Sequence, residues 1–201
     1  LRALNRGDEA IEVGQFTVER DPLCLTCYRN LVQAYLSYNR PQDAIDTVLQ
    51  MRVLGLDSNN IKVAIAEAYL ATGQAELALQ EYLSIGSIYP GPRSRSRGAA
   101  MAYHDLGQLE KSSAAFEEFI DIVGEGGEIS RLAEFYAWTE NWDKAYETLR
   151  KLEPGCCGFN GILWRKIRND AEWPAYFQEY GRSIRNVGDI EFNFSLPENV
   201  I

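Results

Sequence analysis

Three Ala-Tyr pairs, Ala34-Tyr35, Ala68-Tyr69 and Ala102-Tyr103, stand 34 residues apart. A fixed period of this length restricts a chain to architectures in which one supersecondary unit is stacked on copies of itself. The period runs through apolar positions. With Leu25 opening a copy, Tyr28, Leu31, Val32, Tyr35, Ala44, Val48 and Met51 recur as Lys62, Ile65, Ala66, Tyr69, Ala78, Tyr82 and Ile85. A further step reaches Ser96, Ala99, Ala100, Tyr103, Ser112, Phe116 and Phe119, and a copy one residue shorter supplies Ile129, Leu132, Ala133, Tyr136, Ala145, Leu149 and Leu152. Only Lys62 breaks the small-or-apolar pattern. Stepping back from Ala44 lands on Ala10, where NRGDEAI matches NRPQDAI, so the first copy has lost its leading helix. Ala3 to Val18 would be a trailing helix without its partner, and Leu4, Ile11 and Val18 should lack part of their cover, leaving this end frayed or buried by a neighbouring molecule.

Each copy reads as two helices. Apolar residues at spacings of three and four run through Ile61, Ile65, Ala68 and Tyr69, and again through Leu77, Ala78, Tyr82 and Ile85. Thr72-Gly73 between them is a helix stop, as are Asn39-Arg40-Pro41, Leu106-Gly107-Gln108 and Glu140-Asn141 in the other copies. Small residues at Ala44, Ala78, Ser112 and Ala145 let paired helices approach closely. A hairpin of this kind cannot bury its apolar face alone, so it has to stack.

The pattern resembles the tetratricopeptide repeat over about residues 1 to 157, and the copy from 59 closes on the expected Pro90. It departs from that family where Val32, Ala66, Ala100 or Ala133 replaces the usual glycine. The resemblance implies an all-α, right-handed solenoid of helical hairpins, in copies 1–24, 25–58, 59–92, 93–125 and 126–157. A cap and short extended tail would follow at 158–201. It also implies a concave face lined by leading helices. The family's usual positions select Arg29, Gln33 and Ser37, then Val63, Glu67 and Leu70, then Arg97, Met101 and His104, then Ser130, Glu134 and Trp138. Glu67 stands where chaperone-binding members carry an amide and would repel a C-terminal carboxylate. The expected ligand is instead a peptide or protein segment with an apolar patch toward Leu70 and Met101 and an acidic residue near Arg29 or Arg97.

After Pro154 the period stops. GCCG reads as a loop, Phe159 to Ile167 and Trp173 to Tyr180 as helices, and DIEFNFSLP as a strand with one apolar side. The stretch NDAEWPAYFQEYG through IEFNFSLP resembles the ends of bacterial tetratricopeptide regions attached to winged-helix transmembrane activators of the CadC type or to class III nucleotide cyclases. That implies a sensory or interaction region of a larger signalling or transcription-regulating protein.

Composition narrows the partners. The 201 residues are 46% hydrophobic, and 29 acidic against 20 basic residues give a net charge of -9, which disfavours nucleic acid. No apolar run approaches the roughly 20 residues of a membrane span, and the N-terminus lacks a signal-peptide layout. The chain opens on Leu1, so a fragment is the expectation and no compartment is assigned.

Candidate chemistry is sparse. Cys24 and Cys27 form a C-x-x-C where a helix begins, which makes thiol redox a third reading, while two half-buried helix-start cysteines are the plainer one. Cys156 and Cys157 lie several hairpins away, so one zinc site does not form. His104 beside Asp105 has no nucleophile to serve. Trp138, Trp142, Trp164 and Trp173 suggest either an aromatic cage or core filling at the cap. Arg93, Arg95 and Arg97 in PRSRSRG offer an anion site or a solvated loop. The sequence thus implies no enzyme, cofactor or metal. It implies a scaffold holding a protein or peptide ligand, with self-association into a homo-oligomer as the alternative.

Overall fold

In the computed structural model, which describes residues 7–124, 127–152 and 161–180, the period is spelled out in helix pairs. A single helix, α1 (Gly7–Arg20), precedes four hairpins: α2 (Leu25–Ser37) with α3 (Pro41–Val53), α4 (Asn59–Ala71) with α5 (Ala75–Leu83), α6 (Gly91–Asp105) with α7 (Leu109–Val123), and α8 (Ile129–Trp138) with α9 (Trp142–Leu149). A 3-10 turn (Ile162–Trp164), α10 (Arg165–Arg168) and α11 (Trp173–Tyr180) follow. The architecture is the all-α, right-handed solenoid that the period implies. The extended tail predicted at 190–196, and Cys156-Cys157, lie outside the described residues.

The repeated tyrosine has a backbone reason as well as a packing one. Asn39, Gly73, Gly107 and Glu140 all take positive φ, between 56° and 75°, a region that suits glycine and asparagine and strains glutamate. The residue after each donates its N–H to the tyrosine carbonyl of the preceding helix: Arg40 to Tyr35 at 2.8 Å, Gln74 to Tyr69 at 2.8 Å, Gln108 to Tyr103 at 2.9 Å and Asn141 to Tyr136 at 2.9 Å. The left-handed residues bond one position further on, to Leu36, Leu70, His104 and Ala137. This is the Schellman motif four times over, and it satisfies carbonyls that a helix end would otherwise leave open.

Packing follows the same register. Val32, Ala66, Ala100 and Ala133 on the leading helices are fully buried, as are Ala44, Ala78 and Ala145 on the trailing ones. Ser112 takes the equivalent position on α7, and its Oγ donates to the Ala100 carbonyl at 2.8 Å, so the buried hydroxyl is satisfied. At Gly98 the helices approach so closely that a Cβ there would fall 2.1 Å from the Tyr82 ring. The trailing helices are linked too, by a two-pronged Arg52 to Glu81 contact at 2.8 Å per prong between α3 and α5.

At the two ends the structure differs from the sequence reading. Ile11 was expected to lack cover, but α1 packs on α2 and Ile11 belongs to the main core, with Gly14 backed directly onto Leu31. Val18 is half-buried against the same core, and Leu4 lies outside the described residues. At the other end, the helix expected over Phe159 to Ile167 is, in its described part, a 3-10 turn followed by α10, with 159–160 outside the described residues, whereas α11 has the expected bounds.

Candidate functional site

The leading helices α2, α4, α6 and α8 form the inner side of the stack, and two adjoining clefts open there. The larger, about 530 Å³, lies between Arg29, Gln33 and Ser37 on α2, Asn60, Val63 and Glu67 on α4, Arg131 and Glu134 on α8, and Gly161 to Trp164. The smaller, about 260 Å³, continues from α4 past Tyr89, Arg93, Ser94 and Arg97 to Glu128, Ser130 and Arg131. Eight of the residues selected from sequence therefore border the clefts: Arg29, Gln33, Ser37, Val63, Glu67, Arg97, Ser130 and Glu134.

The other four do not. Leu70 is 2% exposed, Met101 0% and Trp138 1%, so the apolar patch expected from Leu70 and Met101 is core and presents nothing to a ligand. His104, half-buried, borders neither cleft. For Trp138 the reason lies where α8 ends. There Trp138 Nε1 donates to Asp105 Oδ1 at 3.1 Å, while Lys166 of α10 lies over the Trp138 ring and donates to its carbonyl at 2.8 Å. Burial raises the Asp105 carboxyl above its ordinary value, although Lys166 and the indole N–H both pull it down. The clefts thus draw on the earlier turns of α4, α6 and α8.

Arg97 is the second correction. Its guanidinium does not wait for a partner's acid, because Nη1 donates to Glu134 of α8 and Nη2 lies 3.5 Å from Glu67 of α4. Arg131 adds contacts of 3.2 and 3.0 Å to the two Glu134 oxygens. A charged chain therefore crosses three leading helices, with Arg97 3% and Glu134 2% exposed. Arg131 is raised above its ordinary value chiefly by the Glu134 charge. Glu67 is less well served: burial lifts its carboxyl above the ordinary range, Arg97 pulls it down, and the neighbouring Glu134 charge adds to the rise. The Tyr82 hydroxyl, shut in with no hydrogen-bond partner among the described residues, is raised well above its usual value by burial.

PRSRSRG is likewise neither a solvated loop nor a free anion site. It forms the first turns of α6, where Arg93 pairs with Glu128 and Arg95 reaches the Ile85 carbonyl at 3.5 Å. Alternating charge at inner-face positions of successive leading helices, Glu67, Arg97 and Glu134, was the sequence signal for this chain of ion pairs. The tryptophans divide between packing roles: Trp138 joins the main core, while Trp164 and Trp173 pack with Ala133, Ala137, Leu149 and Tyr176, and Trp142 lies against them. Cys24 and Cys27 are joined by a disulfide at the start of α2, and the Cys24 sulfur accepts from the Cys27 N–H. Among the described residues no group of three or more His, Cys, Asp or Glu side chains is placed to hold a metal ion, and no helix is long and apolar enough to cross a membrane.

What sequence reasoning missed is the fourth wall of the larger cleft. Ile162 and Leu163 are each 1% exposed, and they share a core with α2 and α4 rather than lying wholly beyond α9. The run Gly-Ile-Leu-Trp, apolar and outside the period, was the available sign.

No family model matches the chain, and no curated protein matches it. Among solved structures, a crystal structure of MamA is similar at a TM-score of 0.55 and 18% identity, covering 89% of this chain and 95% of that one. A second crystal structure of MamA gives a TM-score of 0.53 and 19% identity over 89% of this chain and 88% of that one. At such identity the likeness concerns the fold, and with the 34-residue hairpins it makes this chain a tetratricopeptide-type helical solenoid.

Proposed function

We propose that the chain is a non-catalytic interaction scaffold whose inner face holds a segment of a partner protein. The observation that carries this reading is the cleft of about 530 Å³ bordered by three leading helices, with Arg29 exposed at its rim and Gln33, Ser37, Asn60 and Val63 half-buried along its wall. Stacked hairpins use such concave surfaces for extended segments. With Leu70, Met101 and Arg97 withdrawn into the fold, the ligand meets a polar wall from α2 and α4, and Arg29 remains the natural partner for an acidic residue.

The working face is tested by Arg29→Glu combined with Gln33→Ala. Both side chains border the cleft without belonging to the core, so circular dichroism and melting temperature should stay as in the parent while cross-linked partners from the source cell are lost. Recovery of the same partners in the same amount would remove the inner face from consideration. The copy boundaries given above, and a role as the sensory part of a larger signalling protein, belong to the same proposal; the second rests on the resemblance of residues 169 to 197 alone, and the gene around this segment tests it. Self-association is the competing reading, and sedimentation across a concentration series separates the two.

A further inference from the structure

Residues 161–164 are placed as a ligand would be. They lie against α4 and α8 on the inner side of the stack, with Ile162 and Leu163 buried in the core that holds Val32 and Ile65, and Gly161 to Trp164 walls the larger cleft. The following turn is anchored by charge, since Lys166 donates to the Trp138 carbonyl at 2.8 Å and pairs with Glu140 at 3.1 Å. The backbone of this segment bonds within its own turn, Trp164 N–H to Gly161 carbonyl at 3.1 Å. The leading helices, for their part, have their interior backbone groups already paired. Recognition therefore runs through side chains: two aliphatic residues, a tryptophan and a basic residue two positions on.

We infer that the inner face is a receptor for a short helical turn of the form aliphatic-aliphatic-Trp-x-basic, that residues 162–166 are its built-in ligand, and that a partner segment of this chemistry binds by displacing them. The inference rests on the inner face being the binding surface, and it names the occupant. The tether keeps the internal copy at high effective concentration, and an external segment binds only in proportion to the time the internal one is away.

The probe is a labelled peptide with the sequence of residues 161–168, titrated into the full chain and into a variant carrying Ile162→Ser and Leu163→Ser. The variant, if folded by circular dichroism, should bind the peptide saturably at one per chain and at least about tenfold more tightly than the parent does. A peptide with serine at its Ile and Leu positions should not bind. A folded variant that ignores the peptide, or one that takes the serine peptide equally, overturns the proposal. Should the variant unfold, amide exchange in the parent decides. A ligand that vacates its site opens without global unfolding, so the amides of 162–166 should exchange at least about tenfold faster than those of Ile65 to Ala68. Equal protection overturns the proposal. These outcomes are independent of partner capture by the Arg29→Glu and Gln33→Ala variant: peptide binding with unchanged capture sinks the wider reading, and lost capture without peptide binding sinks the built-in ligand.

Discussion

Arg97 shows how one residue can be correctly placed from sequence and wrongly assigned a task. It sits on the inner side of its helix, as its repeat position implies, yet two carboxylates of this chain claim it before any partner can. Removing one member of a buried ionic set leaves charge uncompensated, which costs about 3 to 5 kcal/mol. Arg97→Ala should therefore lower the free energy of unfolding in urea by that amount. A loss below about 0.5 kcal/mol would show that Glu67 and Glu134 have other support. Glu67 gives a signature in pH. Its carboxyl keeps its proton to higher pH in the folded chain than at the ordinary value of 4.5. Between those two values the folded state holds more protons than the unfolded, so this group's contribution to stability declines as pH rises from about 4.5 through the raised value. Glu67→Gln abolishes that decline. Relative to the parent, the variant should gain stability as pH rises from about 4.5 through the raised value, and urea midpoints that run parallel above pH 4.5 would contradict it.

At the scale of elements, α1 stands as a trailing helix without its leading partner and is still packed. Ile11 faces α2 and is 4% exposed, so Ile11→Ala should cost about 2 to 4 kcal/mol, read as a lowered denaturation midpoint with an unchanged slope. A frayed α1 would show almost no change. The hairpins were legible because two signals coincide at each one: a small residue where helices cross, at Ala44, Ala78, Ser112 and Ala145, and a turn residue able to adopt positive φ. Glu140 is the exception, with φ of 58°, and its neighbour Asn141 supplies the cap of α9, accepting from the Lys144 N–H. The inner-face assignments failed where the side chain belongs to the core, and at Trp138 an element from outside the repeats crosses it as well. Leu70, Met101 and Trp138 lie in the later turns of α4, α6 and α8, where Lys166 crosses Trp138, and no periodicity within the repeats announces an element from outside them. The same holds for Ile162 and Leu163. Their apolar character was visible, but which surface they cover is decided by the path of the chain after the last hairpin.

For the whole molecule, a stack of repeats has neighbours only before and behind, and such an array can lose its end units one at a time. Here Ile65 of α4 and Ile162 belong to one apolar cluster although two hairpins separate them along the chain. The packing of the 3-10 turn on α4 turns an open row into a closed circuit, because α8 and α9 cannot unzip from the end until the clasp on α4 has let go. The four tryptophans, Trp138, Trp142, Trp164 and Trp173, all lie at that end, so fluorescence watches the clasped portion while far-ultraviolet circular dichroism watches every helix. In the parent the two signals should fall together in one urea transition. Leu163→Ala removes about 2 to 5 kcal/mol of packing at the clasp, and the fluorescence midpoint should then precede the dichroism midpoint. Coincident curves in that variant would mean that the row is cooperative without being closed.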